Sequence, residues 1–209
     1  MAVAIMDSKP YDSRLAHACV APFRNTRLHP NHITALSLAL GVLAGVAYAG
    51  GGTTPMNVGA ALYMLSMFVD HMDGEFARMT GKTSEAGHKF DRQADLAVKL
   101  AAWSGMGIGL ARNADSVLPV LQGVACGVAF VAIFAFHSMI GRRTGDGEPD
   151  QPSTGTFEIE DVLYLVGPIT WFGVLPAFLI VASVGAPFYA FLVFLQLQRT
   201  PGSQDRDER

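Results

Sequence analysis

The sequence is poor in charge. Of its 209 residues, 16% are Asp, Glu, Lys or Arg, while 50% are hydrophobic, and the mean hydropathy is +0.30. Soluble domains carry nearer a quarter charged residues. The deficit is concentrated, since no charged residue stands in 33–69, in 116–141 or in 162–198. Such runs exclude an ordinary soluble domain and suit helices that cross a bilayer, which need about 20 apolar residues each. Cysteine is equally scarce. Cys19 and Cys126 are the two present, so neither a disulfide framework nor a cysteine metal site is expected. The opening MAVAIMDSKPYDSRLAHACVAPFR lacks a continuous apolar run, and no signal peptide is expected. The sequence has no internal repeat. Its net charge of −3 says nothing of partners, and no nucleic-acid partner is expected.

What is present divides into helices. The runs 33–69 and 162–198 are each too long for one span and read as hairpins of two. The first breaks at GGGTTPMN, 50–57. The second breaks at Gly173 to Pro176, with Gly185 to Pro187 as the rival position. A further span covers 93–111, apolar except for Asp95 and Lys99. The expected fold is an all-α integral membrane protein with six transmembrane helices, roughly 33–50, 57–77, 88–111, 117–140, 159–174 and 176–198. A short amphipathic helix over 13–23, lying on the membrane surface, precedes them. Residues 1–199 form a single membrane domain, and 200–209, the polar TPGSQDRDER, form a disordered cytoplasmic tail.

Basic residues set the orientation. Lys9, Arg14, Arg24, Arg27, Arg78, Lys82, Lys89, Arg92, Arg142, Arg143 and Arg199 lie near the termini or in loops on the same side, and the opposite loops hold Arg112. The positive-inside rule places the termini and the 78–92 loop in the cytoplasm. In a bacterium the membrane would be the inner one.

The charge that remains is gathered in DHMDGEFARMTGKTSEAGHKFDRQAD, residues 70–95. Asp70 and Asp73, three apart, share a face at the end of the second span. Asp91 and Asp95, four apart, open the third, on a stripe running Gly87, Asp91, Asp95, Lys99. The turn between is short enough to make the helices antiparallel neighbours, so the two acidic faces converge. Acidic residues at helix ends are often no more than interfacial solvation, but clustered carboxylates at membrane depth are more often functional. Four carboxylates in a half-buried pocket cannot all stay ionised unaided. Either several are protonated or cations hold them. Carboxylates without His or Cys form the hard-oxygen set preferred by Mg²⁺, Mn²⁺ or Ca²⁺. Four of them can bridge two ions about 3.5–4 Å apart, the arrangement used for phosphoryl chemistry. Gly74, Ala77 and Gly87 remove bulk beside the acids and leave room for a ligand close to the backbone.

The spacing D-x-x-D-G-x-x-A-R-x8-G-x3-D-x3-D, met here by Asp70, Asp73, Gly74, Ala77, Arg78, Gly87, Asp91 and Asp95, resembles the signature of the CDP-alcohol phosphotransferases. The resemblance implies an enzyme that passes a phosphoryl-linked group from a CDP-linked donor to an alcohol acceptor, releases CMP and serves phospholipid synthesis. It implies a homodimer of six-helix protomers and two divalent cations, Mg²⁺ or Mn²⁺. By position, Asp70, Asp73 and Asp91 would hold one ion, and Asp70, Asp91 and Asp95 the second. Asp95 would be the catalytic base for the acceptor hydroxyl. Gly74, Ala77, Arg78 and Gly87 would line the CDP pocket together with Asp70 and Asp73. A P-N-x-x-T element, Pro30, Asn31 and Thr34, is similar to a second family feature and would set Asn31 and Thr34 near the nucleotide.

The alcohol and the lipid stay open, as does whether CDP-diacylglycerol or a CDP-alcohol is the donor. A basic group, Lys99, His137, Arg142 and Arg143, suits a phosphorylated acceptor. An acidic group, Glu158, Glu160 and Asp161, suits a cationic head group. Each also has a plain structural reading: membrane anchors for the arginines, an i, i+4 pair with Asp95 for Lys99, a buried histidine, and acids complementing a helix N-terminus. Two other functions fit six helices with inward carboxylates: a divalent-cation transporter and an inactive scaffold relative. The one-sided clustering of the acids speaks against the first, and the intact signature against the second.

Overall fold

The computed structural model describes residues 11–114, 116–144, 153–154, 157–158 and 163–201. Helix α1, Tyr11–Val20, continues into a 3-10 turn at Ala21–Phe23. It matches the expected 13–23 helix, and it does not lie bare. Ala16 and Val20 are buried, Val20 in a cluster with Ile33, Val69 and Phe76, whereas Leu15 and Phe23 stay exposed.

Helix α2, Pro30–Ala49, starts where the sequence supplies a cap. Pro30 is preset for the first helical position. The His29 ring accepts from the Asn31 backbone N–H, and the His32 ring accepts from that of His29, satisfying two donors that a helix start leaves open. The chain reverses through Gly51 and Gly52, both in the left-handed region at φ 69° and 72°, into α3, Thr53–Thr80. After Gly81, also left-handed, follow α4, Glu85–Ala114, and α5, Leu118–Thr144. Two residues of β1, Ser153–Thr154, pair antiparallel with two of β2, Phe157–Glu158. Helix α6, Val166–Trp171, turns at Gly173 into α7, Leu175–Arg199. The expected break at 173–176 is where the chain turns, and the rival Gly185 to Pro187 lies inside α7.

Three of the expected spans stand out by length and apolarity. Among the described residues, α2, α5 and α7 are long and apolar enough to cross a membrane. Helices α3 and α4, at 28 and 30 residues, reach about 42–45 Å at 1.5 Å per residue, but their aspartate-bearing halves are charged. The fifth expected span, 159–174, is described from 163 onward and contains α6, Val166–Trp171; 159–162 fall outside the described residues. So does 202–209 of the expected tail.

Helix α2 packs on both α3 and α4, and α5 packs on α4 and α7. Small residues bring α2 and α4 into backbone contact. A Cβ on Gly105 would stand 2.2 Å from the Gly45 carbonyl oxygen, and one on Gly109 2.0 Å from that of Tyr48. Apolar side chains gain little by leaving lipid for protein, so close packing of this kind is what holds such helices together. Trp103 of α4 fills the centre, stacked on Phe130 of α5 at 5.5 Å and Phe178 of α7 at 5.8 Å. Between α2 and α3, Ser37 and Ser66 exchange hydrogen bonds with each other's carbonyls, at 3.1 and 2.8 Å. Phe172, Val181, Val184 and Phe188 face outward.

Candidate active site

The site lies where α2, α3 and α4 meet. On α3, Asp70 and Asp73 occupy one face; on α4, Asp91 faces them. One carboxylate oxygen from each of the three lies within 4.8 Å of the other two. Asp73 is buried at 6% exposure. The glycine-tipped reversal at Gly81 makes this convergence possible, because it returns α4 antiparallel to α3 within a few residues.

Helix α2 supplies hydroxyls that fix these carboxylates. The Thr34 hydroxyl donates to Asp73 Oδ2, and the Ser37 hydroxyl, one turn on, shares its one proton between the Ser66 carbonyl at 3.1 Å and Asp70 Oδ1 at 3.3 Å. Each holds one oxygen of its acid. Three carboxylates converging without nitrogen or sulfur donors, two of them oriented by an outer hydroxyl, are the donor set of a hard divalent cation. The residues present therefore fit Mg²⁺ or Mn²⁺ at Asp70, Asp73 and Asp91.

Asp95 stands apart from those three. Its Oδ2 accepts from Lys99 Nζ at 2.7 Å, with the two side chains 22% and 12% exposed. Asp95 and Lys99 line a narrow cleft together with Asp70 of the cage. Ser37, Ser66, Tyr63 and His71 complete its polar wall. Asp70 belongs to both the cleft and the cage.

The other expected residues sort themselves. Asn31 Oδ1 would lie 3.3 Å from a Cβ on Gly87, so the missing side chain of Gly87 leaves Asn31 its place at the start of α4. Thr34 is spent on Asp73. The Arg78 guanidinium lies beside Gly74, 3.5 Å from where a Cβ would be, and Ala77 is half-buried next to it. The basic group is not gathered: of its members, Lys99 alone lines the cleft. Arg143 donates to the carbonyls of Leu197 and Thr200 at 2.9 and 3.3 Å, closing the end of α7. Arg142 is exposed, and the His137 ring packs 6.5 Å from that of Tyr189. Glu160 and Asp161 fall outside the described residues, as does the side chain of Glu158. Both cysteines are free.

Ser37, Ser66, His71 and Glu75 were not singled out in the sequence. Ser37 had a signal: it follows Thr34 by three and extends the P-N-x-x-T face by one turn. Glu75 had none, since it occupies an open position of the signature.

A search of curated proteins returned no match. The profile of the CDP-alcohol phosphatidyltransferase family matches residues 27–196, from the start of α2 to the last turn of α7. That match takes in the hydroxyls, the three-carboxylate cage, the Asp95–Lys99 pair and most of the chain, and the protein belongs to the CDP-alcohol phosphatidyltransferase family.

Proposed function

We propose that the protein transfers a phosphoryl-linked group from a CDP-linked donor to an alcohol, releasing CMP, in phospholipid synthesis. The observation that carries this reading is the cage of Asp70, Asp73 and Asp91, oriented by Thr34 and Ser37 and opening on Asp95. The family is one of transferases acting on CDP-alcohols, and family membership with three apolar helices points to an integral membrane protein. The six-span topology, the cytoplasmic site and the homodimer belong to this proposal.

Asp70, Asp73 and Asp91 would hold one divalent cation, and Asp70, Asp91 and Asp95 a second. When bound, the cations neutralise the donor diphosphate and polarise its phosphorus. Asn31, Gly74, Ala77, Arg78 and Gly87 border the space for the cytidine nucleotide. Gly74 and Gly87 let it approach the backbone, and Arg78 offers donors to its phosphates. The acceptor hydroxyl enters the cleft beside Asp95, which takes its proton as the oxygen attacks the donor phosphorus. The bond formed joins the acceptor oxygen to phosphorus. The bond broken is the diphosphate linkage, and CMP leaves with its electrons. Lys99, fixed to one oxygen of Asp95, holds the base at the cleft and gives the acceptor a cationic neighbour.

The test is a screen. Purified protein in lipid, given Mg²⁺ or Mn²⁺, is offered pairs of CDP-diacylglycerol or CDP-alcohols with alcohol acceptors, and the products are read by lipid mass spectrometry. A new phosphodiester lipid with stoichiometric CMP is expected for at least one pair. Failure of every pair, with Mn²⁺ crossing vesicles that contain the protein, overturns the reading in favour of transport.

A further inference from the structure

Glu75 is the one acid of α3 that turns away from the cage. Its side chain is 4% exposed, and taking a carboxylate out of water is unfavourable unless it is paired. Its Oε1 accepts from Arg78 Nη2 at 2.9 Å, and its Oε2 lies 3.5 Å from His17 Nδ1 on α1. Glu75 thus joins two elements, a helix outside the family match, which begins at residue 27, and the arginine of the signature.

The arginine is the more informative partner. Asp70, Gly74 and Arg78 follow one another at four-residue steps and share a stripe of α3. Arg78 is 63% exposed, and an arginine that free ordinarily samples many rotamers. Here its guanidinium folds back beside Gly74, with Nη1 and Nη2 both 3.5 Å from the missing Cβ. Glu75 takes one edge of a fork that carries five N–H donors. The others stay exposed one turn from the cage, where an anion held by cations would sit.

We infer that Glu75 is a positioning residue: it locks the Arg78 guanidinium over Gly74 for the diphosphate of a cytidine nucleotide, and α1 braces that lock through His17. The inference rests on the reading of the site as a CDP site. It adds that nucleotide affinity depends on an acid that touches neither nucleotide nor cation, and on a helix that precedes the matched region. Fixing the guanidinium in advance removes an ordering cost from binding.

The full chain in lipid nanodiscs with Mn²⁺ is titrated with CDP by calorimetry, for wild type, Glu75→Gln, Arg78→Met and the double variant. Loss of a charged hydrogen-bond partner weakens binding by roughly tenfold or more. Glu75→Gln is expected to weaken CDP about tenfold and to raise the donor KM by a similar factor. Its kcat at saturating donor stays within about twofold, because the locked group acts in binding. The double variant should bind no more weakly than Arg78→Met, because the acid acts through the arginine. His17→Ala moves CDP affinity in the same direction by less. A merely structural Glu75 would give additive losses and a lower kcat, and that outcome overturns the inference. So does wild-type CDP affinity in Glu75→Gln. If Glu75→Gln loses its thermal transition, Glu75→Asp replaces it, keeping the charge and shortening the reach. Wild-type affinity in a folded Glu75→Asp likewise overturns the inference. If wild type itself binds no CDP, the reading of the site fails first and takes this inference with it.

Discussion

The Thr34 hydroxyl of α2 donates to Oδ2 of Asp73 on α3, across a sequence separation of 39 residues. That bond does two jobs. It satisfies one oxygen of a buried acid, and it fixes the orientation in which the acid meets Asp70 and Asp91. The same helix repeats the arrangement one turn later, from Ser37 to Asp70. The cage is thus built by three helices, although its ligands come from two.

Removing the hydroxyl should therefore be felt at the metal. Thr34→Val is expected to weaken Mn²⁺ binding by about 10- to 100-fold, the usual effect of losing an outer partner of a ligand. Thr34→Ser should retain most of the affinity. Calorimetric titration of the purified variants with Mn²⁺ checks this, and equal affinities for the valine and serine variants would contradict it.

The Lys99–Asp95 pair makes a different prediction. A hydrogen bond to a charged group contributes about 1.5–3 kcal/mol, so Lys99→Met should lower kcat/KM for the acceptor by roughly 10- to 100-fold while leaving CDP affinity near wild type. Arg143→Met should leave both constants alone, since that side chain is bound to the end of α7, and should lower thermal stability modestly. Steady-state kinetics with acceptor varied at saturating donor separates the two arginine and lysine roles.

Much of this site was legible because helices turn spacing into position. The step of three put Asp70 with Asp73, and the short turn brought Asp91 to them, whereas Asp95, one turn on, is paired with Lys99 outside the cage. The glycines of the first hairpin and Gly173 marked reversals because left-handed backbone suits glycine. Less was legible where tertiary contact decides. Arg142, Arg143 and His137 shared a helix and a sign with nothing to say where they ended. The bond of Arg143 to Leu197, 54 residues away, has no local signal. Ser66 stands in an apolar helix with no local sign of its partner, the carbonyl of Ser37 on α2. Of the expected fifth span, 159–174, the described part holds α6, Val166–Trp171, and the turn at Gly173.

Packing of α2 on α4 predicts where the bundle tolerates no growth. Gly105→Val places atoms against the Gly45 backbone, where a Cβ alone would be 2.2 Å from an oxygen. Overpacking against backbone that cannot yield costs about 1–3 kcal/mol or more, so the thermal transition in detergent should fall by several degrees or be lost. Gly185→Ala, with nothing within 4 Å of the new atom, should leave it unchanged.

Chelation should separate chemistry from folding. EDTA is expected to abolish transfer, and Mg²⁺ or Mn²⁺ to restore it, with helical circular dichroism constant throughout. The bundle rests on Trp103, the serine pair and the glycine contacts, none of which involves a cation. Unfolding on chelation would show the cage to be structural instead.

The central claim is that the aspartates of α3 and α4 perform a metal-dependent transfer with Asp95 as the base. Release of labelled CMP from a CDP donor tests it most directly, comparing wild type with Asp95→Asn at saturating Mn²⁺, donor and acceptor. The account predicts acceptor-dependent CMP release by wild type and a loss of about 10²- to 10⁴-fold in kcat for Asp95→Asn, the usual contribution of a general base, with CDP still bound. Full activity in Asp95→Asn would contradict it.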